Sequence, residues 1–307
     1  MIYQETIRWR GTAVLRDAIR IEDKTFIISG GMTKTASLKE EWFQDIDDPD
    51  EVIRVLRSSP TRIDLLKFWQ RIPDSAANYN YYKEWRDIAT ISVTTYDHWW
   101  EKQISSKTRN MVRKSQKAGV DIQEHELNDK LVRDIVDIFN QSPIRRGKRF
   151  WHYGKNFETV KKEMSLDLSK SIFITAYHKD ELIGFVKLLV ADRYAMITMI
   201  IDKLTHRDKS PMNGMIATAV EICAKRNIPF LTYTVWRRGD HGDFQKRNGF
   251  EKISIPEYFV PLTLKGAIAL RLGLHKGLKE AVPEKVMVWL LSLRSKWYLM
   301  RNPQKAE

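Results

Sequence analysis

The chain has a single cysteine, Cys223, among 307 residues. No disulfide can form within it, and no cysteine-based metal cluster can be built. Its seven histidines show no metal-ligand spacing, so no metal is expected. No apolar run is long enough to span a bilayer, and the best candidate, residues 286–293, is too short. The start Met1-Ile2-Tyr3-Gln4-Glu5 lacks the charged-then-apolar form of a secretion signal. These absences point to a cytoplasmic protein that would meet a membrane only peripherally, at the inner face. There is also no internal repeat and no low-complexity segment.

Against these absences, hydrophobic residues make up 43% of the chain, enough for a sizeable core in one large domain or two of ordinary size. The net charge is +13 and the sequence pI about 9.6. Such a field suits phosphorylated cofactors, nucleic acid or an acidic membrane face, with solubility alone as the competing reading.

Three segments differ in composition: 1–94, 95–262 and 263–307. In the first, 25–29 reads as a strand before Gly30-Gly31, 50–57 as a helix capped by Asp47 or Asp48 before Pro49, and 63–69 and 88–93 as strands. This segment is an α/β lobe of its own or half of a larger sheet. Residues 40–51 hold seven acids and no base, as at a solvated helix start. In the second segment the charge reverses, and 104–117 reads as a basic helix stopped by Gly119. A strand at 120–126 and helices at 128–139 and 157–168 follow. Strands come next at 172–177, 182–190, 194–201 and 230–235. The third segment reads as helices at 265–279 and 284–300, with nine bases against three acids in 263–307. Its last helix would dock on its own domain or lie on an anionic membrane face through 265–301.

Two loops carry chemistry. Arg145-Arg146-Gly147-Lys148-Arg149-Phe150-Trp151-His152-Tyr153-Gly154-Lys155 interleaves bases with aromatics and suits a sugar, nucleotide or phosphorylated acceptor. Thr205-His206-Arg207-Asp208-Lys209-Ser210-Pro211-Met212 feeds a helix opening at Asn213-Gly214, a place to hold phosphate. Cys223 lies in the apolar body of that helix and reads as a buried small hydrophobe.

The order of elements from 120 onward is similar to the GNAT acyltransferase fold, with Gln245-Lys246-Arg247-Asn248-Gly249-Phe250 where that fold has a Tyr-x-x-x-Gly-Phe run. The upstream helix, with Arg109-Asn110, Arg113-Lys114 and Lys117-Ala118-Gly119-Val120, resembles the start of the transferase lobe in FemAB-type proteins. So does Pro211-Met212-Asn213-Gly214-Met215-Ile216. The resemblance covers about 95–262 well and 1–94 vaguely. It implies a mixed α/β, acyl-CoA N-acyltransferase-like fold with a central, mostly antiparallel, twisted sheet flanked by helices. FemAB-type members transfer amino acids from aminoacyl-tRNA to peptidoglycan precursors, and relatives with fewer decorations look like acyltransferases of surface-polysaccharide pathways. Two departures stand out. Residues 208–213 contain no glycine where the GNAT phosphate loop has several, and Pro211 removes an N–H donor. Gln245 replaces the tyrosine that often protonates the leaving thiolate, and an amide cannot act as an acid.

The resemblance implies acyl transfer to an amine, less readily a hydroxyl, of a cell-envelope or polysaccharide precursor. Acyl-CoA is the leading donor and aminoacyl-tRNA the alternative. A non-catalytic protein binding an anionic ligand or membrane is the third reading. Backbone near Ile200 and Ile201 would polarise the acyl carbonyl, and Arg207, Lys209, Asn213 and Gly214 would hold the donor's phosphates. Arg145, Arg146, Arg149, Trp151, Tyr153 and Trp236 would hold the acceptor. His152, with its ordinary pKa near neutrality, is the candidate base, and Tyr233 and Gln245 complete the catalytic set.

Overall fold

The computed structural model describes residues 2–9, 12–145, 147–236 and 239–276. The chain forms two compact units. One comprises residues 1–87 and 253–283, the other 88–252 and 284–307. The second helix expected in the tail, 284–300, lies outside the described residues, as does most of 265–301.

The first unit is built on β1 (Ile2–Trp9), β2 (Thr12–Ile21), β3 (Lys24–Ser29), β4 (Thr35–Leu38), β5 (Leu65–Trp69) and β14 (Glu251–Pro261), in that spatial order. Neighbours are antiparallel except β4 and β5. Helix α1 (Pro49–Arg57) covers this sheet with Val52, Ile53 and Leu56, which join Phe26, Leu66, Phe68 and Tyr258 in one core. Of the two expected caps the structure uses Asp48, whose carboxylate accepts from the N–H groups of Asp50 (3.0 Å) and Glu51 (3.1 Å). Pro49 fits the first helical position because its missing N–H has no partner to lose there. A short helix, α8 (Leu264–Arg271), and a 3-10 turn (Leu274–Lys276) close the described part of the chain, where the sequence predicts one helix from 265.

The second unit begins in β6 (Tyr82–Ser92), which enters it at Ile88. Next come a turn of helix, α2 (Tyr96–His98), a π-helical turn (Trp99–Gln103), α3 (Ser106–Lys117) and β7 (Asp121–His125). Then follow α4 (Asp129–Asn140), a hairpin of β8 (Ile144–Arg145) and β9 (Lys148–Arg149), and α5 (Phe157–Met164). Strands β10 (Ser171–His178), β11 (Glu181–Val190) and β12 (Ala195–Asp202) lead to α6 (Pro211–Lys225). The unit ends with β13 (Phe230–Val235) and α7 (Asp240–Arg247). Its strands lie in the order β6-β13-β12-β11-β10-β7, antiparallel except β12 with β13.

Strand alternation sends side chains to two cores. Ile172, Ile174 and Ala176 of β10 join Val112 of α3 and Met215, Ala219 and Val220 of α6. Phe173 of β10 and Phe185 of β11 join Leu131, Ile135 and Phe139 of α4 and Val160 of α5. Side-chain caps set the helix starts: Ser105 accepts from Thr108 N–H (3.3 Å) and Asn128 from Leu131 N–H (2.9 Å). Gly119, at φ +70°, ends α3 where the sequence places its stop. The mixed α/β architecture expected from the order of elements is therefore the one found.

Several expectations shift. The strand expected at 88–93 is only the end of the longer β6, and β1 and β2 were not anticipated. The helix expected at 157–168 stops at Met164, and Leu168–Lys170 is a separate 3-10 turn. The phosphate-loop candidate folds as a 3-10 turn, Leu204–Lys209, and α6 starts at Pro211 rather than Asn213.

Candidate functional site

Strands β12 and β13 pair at only two positions, Ala195 with Leu231 and Met196 with Thr232. Beyond these there are no further ladder pairs between them among the described residues. β12 nevertheless continues to Asp202 along β11, from which the register shift between Lys187 and Leu188 bulges it at Thr198. Parallel strands that part in this way leave one side of β12, at residues 197–201, without a ladder partner. Ile200 and Ile201 lie on this stretch, as expected. The other side of the gap is held by Gln245. Its buried amide Nε2 donates to the carbonyls of Tyr233 (3.1 Å) and Val235 (3.3 Å) at the end of β13.

A cleft of about 300 Å³ opens at the C-terminal end of β12 and the N-terminus of α6. Lys107, Thr108 and Met111 of α3, Asp202, Arg207, Ser210 to Asn213, and Phe244, Arg247 and Asn248 around the end of α7 line it. Three cations thus surround the positive end of a 15-residue helix that no side chain caps. Neighbouring polar groups fix the walls. Thr108 Oγ1 donates to the Arg247 carbonyl (2.6 Å), and Trp99 Nε1 donates to the Asn248 carbonyl (3.0 Å). This arrangement suits an anion, and phosphate above all.

The Asn-Gly-Phe run is part of this framework. Asn248 is fully buried at the end of α7. Gly249 adopts φ +86°, and a Cβ there would lie 2.9 Å from Trp99 Nε1. Phe250 packs 5.9 Å from the Tyr233 ring.

Several expected site residues have other employment. Gly214 turns its N–H to the Ser210 carbonyl (3.5 Å), and a Cβ on it would collide with Ile122 Cδ1 and lie 3.0 Å from Ser115 Oγ, so its smallness lets α3 approach α6. Gln245 braces β13 through its side-chain amide. His152 is only 5% exposed, and its ring packs tilted against Phe139 with centroids 4.4 Å apart. Burial, helped by the charges of Lys155 and Arg145, pushes its pKa down to about 3. The near-neutral pKa that made it a candidate base is absent, and the ring is neutral and weakly basic at physiological pH.

The basic, aromatic loop is largely satisfied internally. Arg145 stacks 4.5 Å over Phe150 and donates to the carbonyls of Ile138 (2.8 Å) and Asp202 (2.7 Å), so it braces the fold rather than facing a substrate. Lys155 lies 4.0 Å over Trp151 and donates to both oxygens of Glu163 (2.7 and 2.8 Å). Trp151 keeps half its surface exposed and Arg149 is exposed, whereas Tyr153 and Trp236 are half-buried. Arg146 lies outside the described residues. Lys209 pairs with Asp208 (3.3 Å). Only Arg207 and Asn213 of the expected phosphate ligands line the cleft, and Lys107, Asp202, Arg247 and Asn248 were not anticipated. The Cys223 thiol is buried and its pKa raised to about 12, in keeping with a core residue.

No protein-family model and no curated protein sequence matches the chain. Solved structures do. The C-terminal domain of a putative lysylphosphatidylglycerol synthetase from Agrobacterium fabrum has a TM-score of 0.55 at 14% identity, over 83% of this chain and 87% of that one. L-PGS from Bacillus licheniformis has 0.55 at 11% identity, over 79% and 83%. FemX has 0.53 at 9% identity, over 84% and 88%. The chain thus shares the fold of FemX and of these synthetase structures, in keeping with the FemAB-type resemblance of its sequence. Among the described residues no group of His, Cys, Asp and Glu is placed to hold a metal, and no helix is long and apolar enough to cross a membrane.

Proposed function

We propose that the protein transfers an acyl or aminoacyl group from an activated, phosphate-bearing donor to an amine by direct attack. The observation that carries this reading is the opening between β12 and β13 with a cationic cleft at the end of β12. A donor whose phosphate sits at the α6 N-terminus, beside Lys107, Arg207 and Arg247, can lay its acyl carbonyl along the unpaired side of β12. Backbone N–H groups there would stabilise the developing oxyanion. The amine nitrogen bonds to the carbonyl carbon, the bond to the donor's leaving atom breaks, and the amine proton passes to water. Holding the amine in line with the carbonyl adds to this stabilisation by making the attack effectively unimolecular. His152, held neutral with a pKa of about 3, is not the base of this scheme.

Between the two donors, the features favour aminoacyl-tRNA over acyl-CoA. Gly214 is spent on helix packing and Pro211 has no N–H, so a glycine-lined pyrophosphate cradle is missing. From Lys107 the exposed face of α3 continues through Arg113, Lys114 and Lys117, none of which has a carboxylate partner among the described residues. A row of unneutralised cations leading away from a phosphate site fits a polyanion better than one diphosphate. The names borne by structures of the same fold, FemX and lysylphosphatidylglycerol synthetase, agree with aminoacyl transfer. The acceptor would be an amine-bearing cell-envelope precursor.

The test is a melting-shift and binding screen of the full chain with aminoacyl-tRNA beside acyl-CoA thioesters. Stabilisation by tRNA that weakens steeply with salt, and weakens further in Lys114→Glu/Lys117→Glu, supports the proposal. Stabilisation by acyl-CoA alone overturns the choice of donor. No response to either overturns transfer and favours a non-catalytic anion-binding protein.

A further inference from the structure

Asp202, the last residue of β12, is 4% exposed and lies in the wall of the cationic cleft. A carboxylate there opposes any anion that enters, so its presence calls for a physical reason. Two guanidiniums flank it in different ways. Arg145, with 10% of its side chain exposed, reaches the main-chain carbonyl of Asp202 at 2.7 Å and stays 4.0 Å from Oδ1. Its second anchor is the Ile138 carbonyl at the end of α4, 2.8 Å away. Arg145 therefore pins the backbone that carries Asp202. Arg207 is different: its side chain is 40% exposed and it lines the cleft. Its Nε lies 3.3 Å from Asp202 Oδ2 and its Nη2 3.4 Å from Oδ1, a side-on pair that uses one edge of the guanidinium. Nη1 has no hydrogen-bond partner among the described residues.

We infer that Asp202 is a positioning residue: gripped through its main chain by Arg145, it holds Arg207 by one edge and leaves the other for the donor's phosphate. The inference rests on the proposal that the cleft takes a phosphate-bearing donor. A mobile arginine would have to be ordered each time a ligand bound, whereas one held by a buried carboxylate is ordered beforehand. The negative charge of Asp202 weakens the cleft's attraction for anions, and the preorganisation of Arg207 more than offsets it.

The two effects have opposite signs, which makes them separable. Asp202→Asn keeps the size of the side chain and removes its charge. Were Asp202 only a charge in the wall, the variant would bind anions more tightly. If it positions Arg207, the variant binds inorganic pyrophosphate and bulk tRNA about tenfold more weakly. In the Arg207→Ala background the same change should no longer weaken binding. Because Asp202→Asn could also disturb the fold, Arg207→Lys is the second arm. It keeps the charge on an exposed side chain, loses the side-on pair, should weaken binding by a similar factor, and should be insensitive to Asp202→Asn. Tighter or unchanged binding in Asp202→Asn, with Arg207→Ala weakened, overturns the positioning role and leaves the cleft intact as an anion site. Unchanged binding in Arg207→Ala overturns the phosphate site and the inference together.

Discussion

The side-chain amide of Asn213 donates to the Oδ1 of Asn248 across 2.9 Å, tying the first turn of α6 to the end of α7. Asn248 also donates through Nδ2 to the Phe244 carbonyl (2.8 Å) and is fully buried. Asn248→Ala should therefore remove two hydrogen bonds, at a cost of about 1–3 kcal/mol, although the Phe244 carbonyl keeps the backbone N–H of residue 248 (3.2 Å). Asn213→Ala should cost less, because it removes one of these two bonds and leaves the other in place. Urea denaturation of both variants checks the order.

Gly214→Ala should destabilise the protein by about 1–3 kcal/mol, because a methyl group there meets Ile122 Cδ1 and the Ser115 hydroxyl. Ser115→Ala combined with it should restore part of the loss. Pyrophosphate affinity, measured in the same samples, should stay within about twofold, since the glycine serves helix packing and not the ligand. A large loss of affinity without a loss of stability would return Gly214 to the phosphate site.

Replacing Lys107, Arg207 or Arg247 with alanine should weaken polyanion binding and lower the slope of log K against log salt by about one unit for each phosphate no longer neutralised. Glu101, exposed just before α3, serves as a control: Glu101→Gln should leave the slope unchanged. Binding isotherms with tRNA at several salt concentrations provide the measurement.

His152 makes stability depend on pH in a definite direction. Its folded pKa, about 3, lies below the ordinary 6.5, so the unfolded chain takes up a proton that the native state refuses. The contribution is complete above pH 6.5 and is lost progressively as pH falls toward 3. His152→Gln should flatten stability across that window. Chemical denaturation from about pH 7 to about pH 4 measures it, and an imidazole resonance titrating near 6.5 would contradict the assignment.

Much of the second unit was legible because its strands write their burial directly. β11 is almost wholly buried, and its run Leu-Ile-Gly-Phe-Val-Lys-Leu-Leu carries the apolar density of a central strand. β1 and β2 were not legible. Many of their residues are partly exposed or charged, and what holds them is cross-strand pairing such as Gln4 with Asp17, which no local pattern announces. The cleft was half legible for a similar reason. Arg207 and Asn213 sit on the loop that marks itself by its place between strand and helix. Lys107, Asp202 and Arg247 come from three elements scattered over about 140 residues of sequence, and only the fold makes them neighbours. The basic, aromatic loop misled because spacing shows which groups are near one another and not whether they are already paired. Arg145 with Phe150 and Lys155 with Trp151 are.

The burial of Cys223 has a practical side. The chain's only thiol is sealed in the core and held protonated, so native protein offers no background to maleimide chemistry. A cysteine engineered at exposed Lys117 could therefore carry a fluorophore at a single address. The native sequence serves unaltered as the blank for following ligands along α3.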